Sequence, residues 1–136
     1  MKTGPHAWSL RVYYEDTDAA GIVYHASYLR FAERGRTEML RELGFDHRSL
    51  AEQHGVVFAV SRCLIDFRRP ARLDDLLQVM TRPLAVGGAR LELEQLVTRA
   101  DATLARLVVT LAVLDRGELR PKRLPDAVRA KFLAHG

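Results

Sequence analysis

The chain has 136 residues, of which 48% are hydrophobic and 28% charged, a balance typical of one globular domain over residues 1–136 whose core needs no disulfide bond or metal ion. Its net charge of +4 is a mild bias without basic runs that interleave aromatic residues, so a nucleic-acid-binding protein is disfavoured. No apolar run approaches the ~20 residues that cross a bilayer, and the first residues lack the apolar centre of a signal peptide, which predicts a cytoplasmic protein without membrane insertion.

The first elements predicted along the chain are a strand and a long helix. Residues 8–14 alternate large and polar side chains, as a β-strand does, and an acidic turn follows them. From Ser27, which we expect to be the N-cap, apolar or small residues recur at helical spacing as far as Leu43, and Gly44 ends the helix. Gly35 lies on the apolar stripe, so we expect the helix to approach another backbone closely there.

The second half of the chain is predicted to be mostly sheet. A short helix from Asp46 to about Gly55 precedes the sheet, and residues 125–132 can form one or two amphipathic turns after it. Cys63, the single cysteine, is expected at a buried strand position. The last strand is apolar nearly throughout, which predicts an interior strand covered on both faces. The predicted strands are residues 56–69, 76–86, 90–99 and 104–114.

This order of elements predicts an α+β fold in which one substantial helix packs on an antiparallel sheet. A single helix shields only part of one sheet face, so some apolar face or open edge stays uncovered in a lone chain. Symmetric association is the commonest remedy for such a surface. We therefore expect a homo-oligomer.

The densest group of reactive side chains lies in residues 16–25, directly before the long helix. A calcium loop is one interpretation, since Asp-x-Asp followed by a glycine imitates the start of an EF-hand. It fails because Ala20 occupies the fifth ligand position and Ser27 the twelfth, where a bidentate Glu is required. No metal ligands are therefore predicted. A structural interpretation stays open, in which the acidic turn caps the helix and His25 is an ordinary polar residue at its start.

A catalytic interpretation of the same segment is also open. A carboxylate and a histidine, Asp18 and His25, are joined by an apolar loop that contains a glycine, at the start of a predicted helix. Free backbone N–H groups at a helix N-terminus can stabilise a developing oxyanion. A carboxylate aimed at the same carbon can act as nucleophile or as general base for water. Together these groups outline an acyl-transfer site.

The motif RV-x4-TD-x2-GIVYH-x2-Y over residues 11–28 resembles the active-site signature of the 4-hydroxybenzoyl-CoA thioesterase family of hotdog-fold hydrolases. The continuation with ERGRTEML, and residues 70–75 and 121–125, are similar in particular to the YbgC-type acyl-CoA thioesterases associated with the Tol-Pal system. The resemblance extends over nearly the whole chain. It implies a long central helix wrapped by an antiparallel sheet of about five strands. It also implies a homodimer or homotetramer with active sites at the dimer interface.

The resemblance also assigns roles to individual residues. Asp18 matches the catalytic carboxylate, as nucleophile or general base, His25 the loop histidine and Tyr14 an auxiliary tyrosine. The backbone amides of Tyr24 and His25 are expected to polarise the thioester carbonyl. Asp16 receives no catalytic role. No resident cofactor is implied, because coenzyme A is part of the substrate.

Substrate-binding residues are expected among aromatic and basic positions outside this motif. Tyr28 and Phe58 are candidates for the acyl pocket, although core packing is the more common role of such residues. The phosphates of coenzyme A require basic groups at the pocket mouth, where planar arginine donors suit them. Arg68, Arg69 and Arg90 are the candidates, since they lie at or near predicted strand ends.

The sequence thus predicts an acyl-CoA thioesterase that releases a free acid and a thiol from short-chain or aromatic acyl-CoA, with an acyl-carrier-protein thioester as a further candidate substrate. A hotdog dehydratase is disfavoured, because those enzymes place an acidic residue on the central helix whereas Asp18 precedes it. The remaining alternative is a protein that binds acyl carrier protein or the envelope machinery and catalyses little.

Overall fold

The computed structural model describes residues 4–134. In this part of the chain five strands and three α-helices alternate with short loops. In chain order the elements are β1 His6–Arg11, a 3-10 turn Tyr14–Asp16, α1 His25–Glu42, α2 His47–His54, β2 Val56–Phe67, β3 Leu76–Val86, β4 Arg90–Arg99, β5 Ala102–Asp115 and α3 Asp126–Ala134.

The strands form one antiparallel sheet in the order β1-β3-β4-β5-β2. Helix α1 lies across one face and packs against β1, β3 and β4. The long helix wrapped by a five-stranded sheet confirms the predicted α+β hotdog architecture. Strands β1 and β2 form the two edges. None of the helices in residues 4–134 is long and apolar enough to cross a bilayer.

Helix α1 is held by a stripe of buried side chains and by one glycine. Phe31, Ala32 and Met39 are among the buried residues on the predicted stripe. A Cβ atom built on Gly35 would lie 2.6 Å from Cγ1 of Val79 on β3. The close approach expected at Gly35 is therefore present. It is made to a side chain of the sheet, whereas the prediction was an approach to another backbone.

The ends of two predicted elements differ from the structure at the segment between β1 and α1. The first strand stops at Arg11, because residues beyond it turn into the 3-10 turn, where the Tyr13 amide donates to the Asp16 carboxylate at 2.9 Å. Helix α1 starts at His25 with Tyr24 as its N-cap, so the prediction of Ser27 as N-cap is wrong. Ser27 is fully buried inside the first helical turn.

Strand β5 confirms the prediction of an interior strand, since it pairs with β4 and β2. The prediction that both of its faces are covered is wrong for residues 4–134: one face is buried, but Arg106, Val108 and Leu114 on the other are only half-buried. Cys63 on β2 is likewise half-buried and not fully buried. Burial raises the pKa of its thiol, against the opposite effect of the nearby Arg36 guanidinium.

Edge strand β2 carries a register shift between Val60 and Arg62, so Ser61 is an extra residue relative to β5. Five side chains, from both sides of this bulge, point to the face that carries α1, because each of them pairs with a buried residue of β5. None of the five is fully buried, and Val60 and Phe67 are each about half exposed. We call these five residues the inner row of β2: Phe58, Val60, Cys63, Ile65 and Phe67.

Candidate active site

The loop that precedes α1 is tied to the helix by Asp16. Its carbonyl oxygen accepts the Tyr24 amide at 2.9 Å and the Ser27 hydroxyl at 3.1 Å. Its carboxylate accepts the Tyr13 amide at 2.9 Å, and the residue is only 6% exposed. Asp16 therefore joins the turn after β1 to the first turn of α1.

Asp18 occupies the apex of this loop, in a tight turn of its own. Its amide donates to the Ile22 carbonyl at 2.9 Å, and its carboxylate accepts the Ala20 amide at 2.8 Å. The Gly21 amide donates to the Asp18 carbonyl, and Gly21 adopts a left-handed φ of 80°. A residue with a side chain would be strained in this backbone conformation. The turn holds the Asp18 carboxylate at the surface, in the loop that leads into α1.

His25 is the first residue of α1 and belongs to an aromatic cluster. Its ring meets Phe67 edge-on with centroids 5.1 Å apart, and Tyr28 meets the same Phe67 ring at 5.2 Å. These side chains line a surface cavity of about 240 Å³, which we call the His25 cavity. The cavity is completed by Ile22, Val23, Arg68, Arg69 and Pro70. The loop, the helix start and the end of β2 therefore meet at one site.

Tyr28 forms the buried wall of this cavity, and its predicted contact with the substrate stays a prediction. Its hydroxyl oxygen accepts the Ala71 amide at 3.2 Å, and the residue is 2% exposed. Burial raises the pKa of the phenol, although the hydrogen bond from Ala71 acts in the opposite direction. The hydroxyl therefore stays protonated near neutral pH.

The segment after Ala71 is held by a carboxylate between two arginines. Asp75 accepts the Arg72 amide at 2.8 Å and the Arg99 guanidinium at 2.7 Å. Burial alone would raise the pKa of Asp75, but these hydrogen bonds outweigh it and hold the pKa below its usual value. Asp75 therefore stays ionised and fixes the wall that Tyr28 contacts.

The predicted basic residues divide between two ends of the sheet. Arg68 and Arg69 line the His25 cavity and also an open groove of about 790 Å³ that contains Arg99. Arg90 lies instead at the start of β4, level with the Phe58 end of β2. Phe58 and Phe67 are nine residues apart on one strand, which is roughly 30 Å. Within one chain, Arg90 and Phe58 therefore do not join the His25 cavity.

Two tyrosines of the predicted site have other surroundings. Tyr14 is 83% exposed in the 3-10 turn, and Tyr24 is 54% exposed at the N-cap. The Tyr24 amide donates to the Asp16 carbonyl at 2.9 Å, so it already has an acceptor in this geometry, and its part in polarising a thioester carbonyl stays a prediction. The His25 amide lies in the first turn of α1, where N–H groups have no intrahelical acceptor.

The described residues contain no group of three or more His, Cys, Asp or Glu side chains placed to hold a metal ion. The groups available for chemistry are a surface carboxylate, an imidazole and the amides of a helix N-terminus.

Phe67 was missed by the sequence analysis. Its position directly before Arg68 and Arg69 was the available signal, since a strand end beside candidate binding residues belongs to the same site.

Comparison with known proteins identifies the family of the chain. The Thioesterase-like superfamily matches residues 12–132. The acyl-CoA thioesterase YbgC of Haemophilus influenzae is 44% identical over 126 residues, 93% of each chain. The acyl-CoA thioester hydrolase YbgC of Escherichia coli is 41% identical over 133 residues, which cover 97% of this chain and 98% of that protein.

A solved structure extends the likeness to three dimensions. The probable thioesterase from Bartonella henselae superposes with a TM-score of 0.84 at 41% identity, covering 89% of this chain and 99% of the other. Sequence family, relatives and fold agree along nearly the whole length. The chain therefore belongs to the Thioesterase-like superfamily of hotdog-fold thioester hydrolases.

Proposed function

We propose that the protein hydrolyses acyl-CoA thioesters of short-chain or aromatic acids at the His25 cavity, with Asp18 as the catalytic carboxylate, and that it acts in the cytoplasm. The observation that carries this proposal is the position of Asp18 in a tight turn of the loop that leads into α1, whose first residue His25 lines the cavity. The relatives named as acyl-CoA thioesterases support the choice of substrate class.

The reaction follows from groups at the helix start. The thioester carbonyl lies against the first turn of α1, where the His25 amide and the positive end of the helix dipole stabilise the oxyanion. Asp18 either attacks the carbonyl carbon, giving an anhydride that water then cleaves, or removes a proton from an attacking water. In both cases the carbon–sulfur bond breaks, the thiolate gains a proton and the free acid leaves.

The coenzyme A moiety is assigned to the rim formed by Arg68 and Arg69. Both residues border the His25 cavity and the open groove beside it. Their backbone amides donate to the Leu104 carbonyl at 2.8 and 3.1 Å, which fixes the chain at this strand end. Guanidinium groups bind phosphate oxygens in a planar, bidentate manner, so this rim suits the phosphates of coenzyme A.

A homodimer, alone or within a homotetramer, is part of the proposal. The inner row of β2 lies at an open sheet edge and is incompletely buried, a surface that invites pairing with a second copy. Antiparallel pairing of two β2 strands around a two-fold axis sets the Phe58 end of one protomer beside the Phe67 end of its partner. Phe58 can then serve the partner's site, and Arg90 moves to the same side.

Thiol release from a panel of acyl-CoAs and one acyl-carrier-protein thioester tests the catalytic proposal. We expect turnover of at least one acyl-CoA, with Asp18→Asn lowering kcat by about 10²–10⁴-fold and His25→Ala lowering it less. Glu15→Gln, an exposed carboxylate in the preceding turn, is the matched control and should retain activity.

The result that contradicts the proposal is equally definite. If no thioester is cleaved, or if Asp18→Asn turns over like wild type with its assembly intact, the catalytic assignment is wrong. Binding of acyl carrier protein or of envelope proteins without hydrolysis would then be the function to pursue.

A further inference from the structure

A second cavity, of about 350 Å³, lies between α1 and the sheet at the end away from His25. Its walls are largely apolar, and it opens beside the inner row of β2. We call it the Arg36 cavity. Its lining residues include Arg36, Met39, Leu40, Phe58, Val60 and Leu111.

Arg36 brings a positive charge into this apolar space. Its Nη1 donates to Oε1 of Gln95 at 3.0 Å, and within residues 4–134 the guanidinium makes no ion pair. Burial lowers the pKa of Arg36, an effect that Glu33 and Cys63 only partly oppose. A guanidinium carries several further N–H donors, and a desolvated cation is costly until an acceptor meets it.

The orientation of Arg36 is set by Gln95. Gln95 is fully buried, and its Nε2 donates to the Ala32 carbonyl at 2.8 Å and to Oγ1 of Thr81 at 2.9 Å. Both donors of its amide are therefore occupied, which fixes Oε1 as the acceptor that faces Arg36. The sheet thus holds the arginine in one direction before any ligand arrives.

The other polar groups of the cavity do not supply a counter-ion in contact with Arg36. The ring of His47 is hydrogen-bonded to Oγ1 of Thr37 at 3.0 Å and lies edge-on to Phe58. Glu33 is exposed at the mouth. The cavity is therefore an apolar space with a fixed cation at its side, which suits an apolar chain that ends in an anion.

We propose that the Arg36 cavity receives the distal part of the acyl group and that Arg36 binds a carboxylate at its end, so that ω-carboxyacyl thioesters are preferred substrates. This inference rests on the proposed thioesterase function. Arg36 is eleven residues beyond His25, roughly 16 Å along the helix, so within one chain only a long acyl group reaches it from the His25 cavity. In the proposed dimer, the paired β2 strands instead bring the Arg36 cavity of one protomer towards the partner's site. The acyl chain length that is preferred distinguishes binding to Arg36 of the same chain from binding to Arg36 of the partner.

The test compares pairs of acyl-CoAs of equal carbon number, with and without a terminal carboxylate, over a series of chain lengths. Wild type should favour the carboxylated member at one or more lengths. Arg36→Gln should lower kcat/KM for that member by about 10–100-fold, mainly through KM, because one charge-assisted hydrogen-bonded contact is lost. The plain member should change little, and Arg36→Lys should restore part of the preference.

The controls separate this inference from the function on which it rests. Arg34→Gln removes an exposed arginine from the same helix and should leave the preference unchanged. Free dicarboxylic acids should raise the melting temperature of wild type more than that of Arg36→Gln, a readout that needs no hydrolysis. Hydrolysis of plain acyl-CoAs with no carboxylate preference in wild type overturns the inference alone, whereas absence of all hydrolysis contradicts the proposed function. If the acids stabilise wild type and Arg36→Gln equally, the anion site is also disproved.

Discussion

Gly35 of α1 lies directly over Val79 of β3, so close that a Cβ atom on the glycine would be 2.6 Å from the Val79 Cγ1 atom. Gly35→Ala should therefore lower the free energy of unfolding. Overpacking costs about 1–3 kcal/mol, because Val79 is fully buried and stiff, and this exceeds the ~1 kcal/mol gained in helix propensity. Urea unfolding measures the difference.

A second substitution shows whether that contact is the cause. In a Val79→Ala background the Cγ1 atom at 2.6 Å is removed and the Cβ atom at 3.2 Å is the nearest neighbour left, so Gly35→Ala should cost less than it does in wild type. Equal costs in the two backgrounds would mean that the two residues are not coupled.

Asp16 links the loop to the helix start, so its removal should disturb catalysis without removing a reacting group. Asp16→Ala leaves the Tyr13 amide without its acceptor and should cost about 1 kcal/mol of stability. The rate should fall at least about tenfold, since small displacements of reacting groups cost this much or more. Asp16→Asn keeps an acceptor oxygen and should restore most of the activity. Steady-state kinetics with thermal unfolding checks both, and an unchanged rate in Asp16→Ala would refute the role.

Tyr28 and Tyr24 form a matched pair of tyrosines on the same helix start. Tyr28→Phe removes the acceptor of the buried Ala71 amide and should destabilise the protein by about 1–3 kcal/mol. Tyr24→Phe removes the hydroxyl of a half-exposed ring and should be nearly neutral. Chemical denaturation of the two variants gives the comparison, and similar stabilities would show that the Ala71 contact contributes nothing.

Glu94 makes the stability dependent on acid pH. Burial alone would raise the pKa of Glu94, but the Arg82 and Arg106 guanidiniums, each 2.8 Å from its carboxylate, hold the pKa below its usual value. A lowered pKa in the folded state contributes stability above the unfolded value of about 4.3, and this contribution is lost as the pH falls through the folded value.

Glu94→Gln should accordingly flatten the loss of stability below about pH 4.3, with a modest effect because both arginines are partly exposed. Urea unfolding between neutral and acid pH provides the profile. Glu92→Gln, two residues away on the same strand, is the control. Identical acid profiles for wild type and Glu94→Gln would exclude this contribution.

Much of the fold could be predicted from local sequence. The apolar stripe of α1 and the turn residues between strands determine the type and order of the elements, since period and turn chemistry are local properties. The helix start could not be placed in this way. Ser27 has the side chain of an N-cap, but the structure uses its hydroxyl to bind Asp16 and begins the helix at His25. That contact crosses eleven residues and leaves no local signal.

The candidate site also has parts that could be predicted from the sequence and parts that only the folded chain brings together. Asp18 and His25 are close in sequence, so their motif could be recognised from the sequence alone. Phe67 reaches His25 only because β2 ends beside α1, and the Arg36 cavity exists only because helix and sheet approach each other. The occupied state of the Tyr24 amide likewise depends on the folded loop.

The bulge at Ser61 decides which side chains of β2 point to the inner face of the sheet after Val60. Strict alternation would put Val60 and Arg62 on one face, whereas the extra residue lets Val60 and Cys63 share it. Insertions and deletions should therefore be tolerated unequally along this strand. Deleting Ser61 would remove the extra residue and leave every remaining side chain of β2 on its present face. Deleting Leu64 would also remove one residue, but Ile65 and Phe67 could then keep their partners on β5 only if the charged Arg62 turned towards the interior.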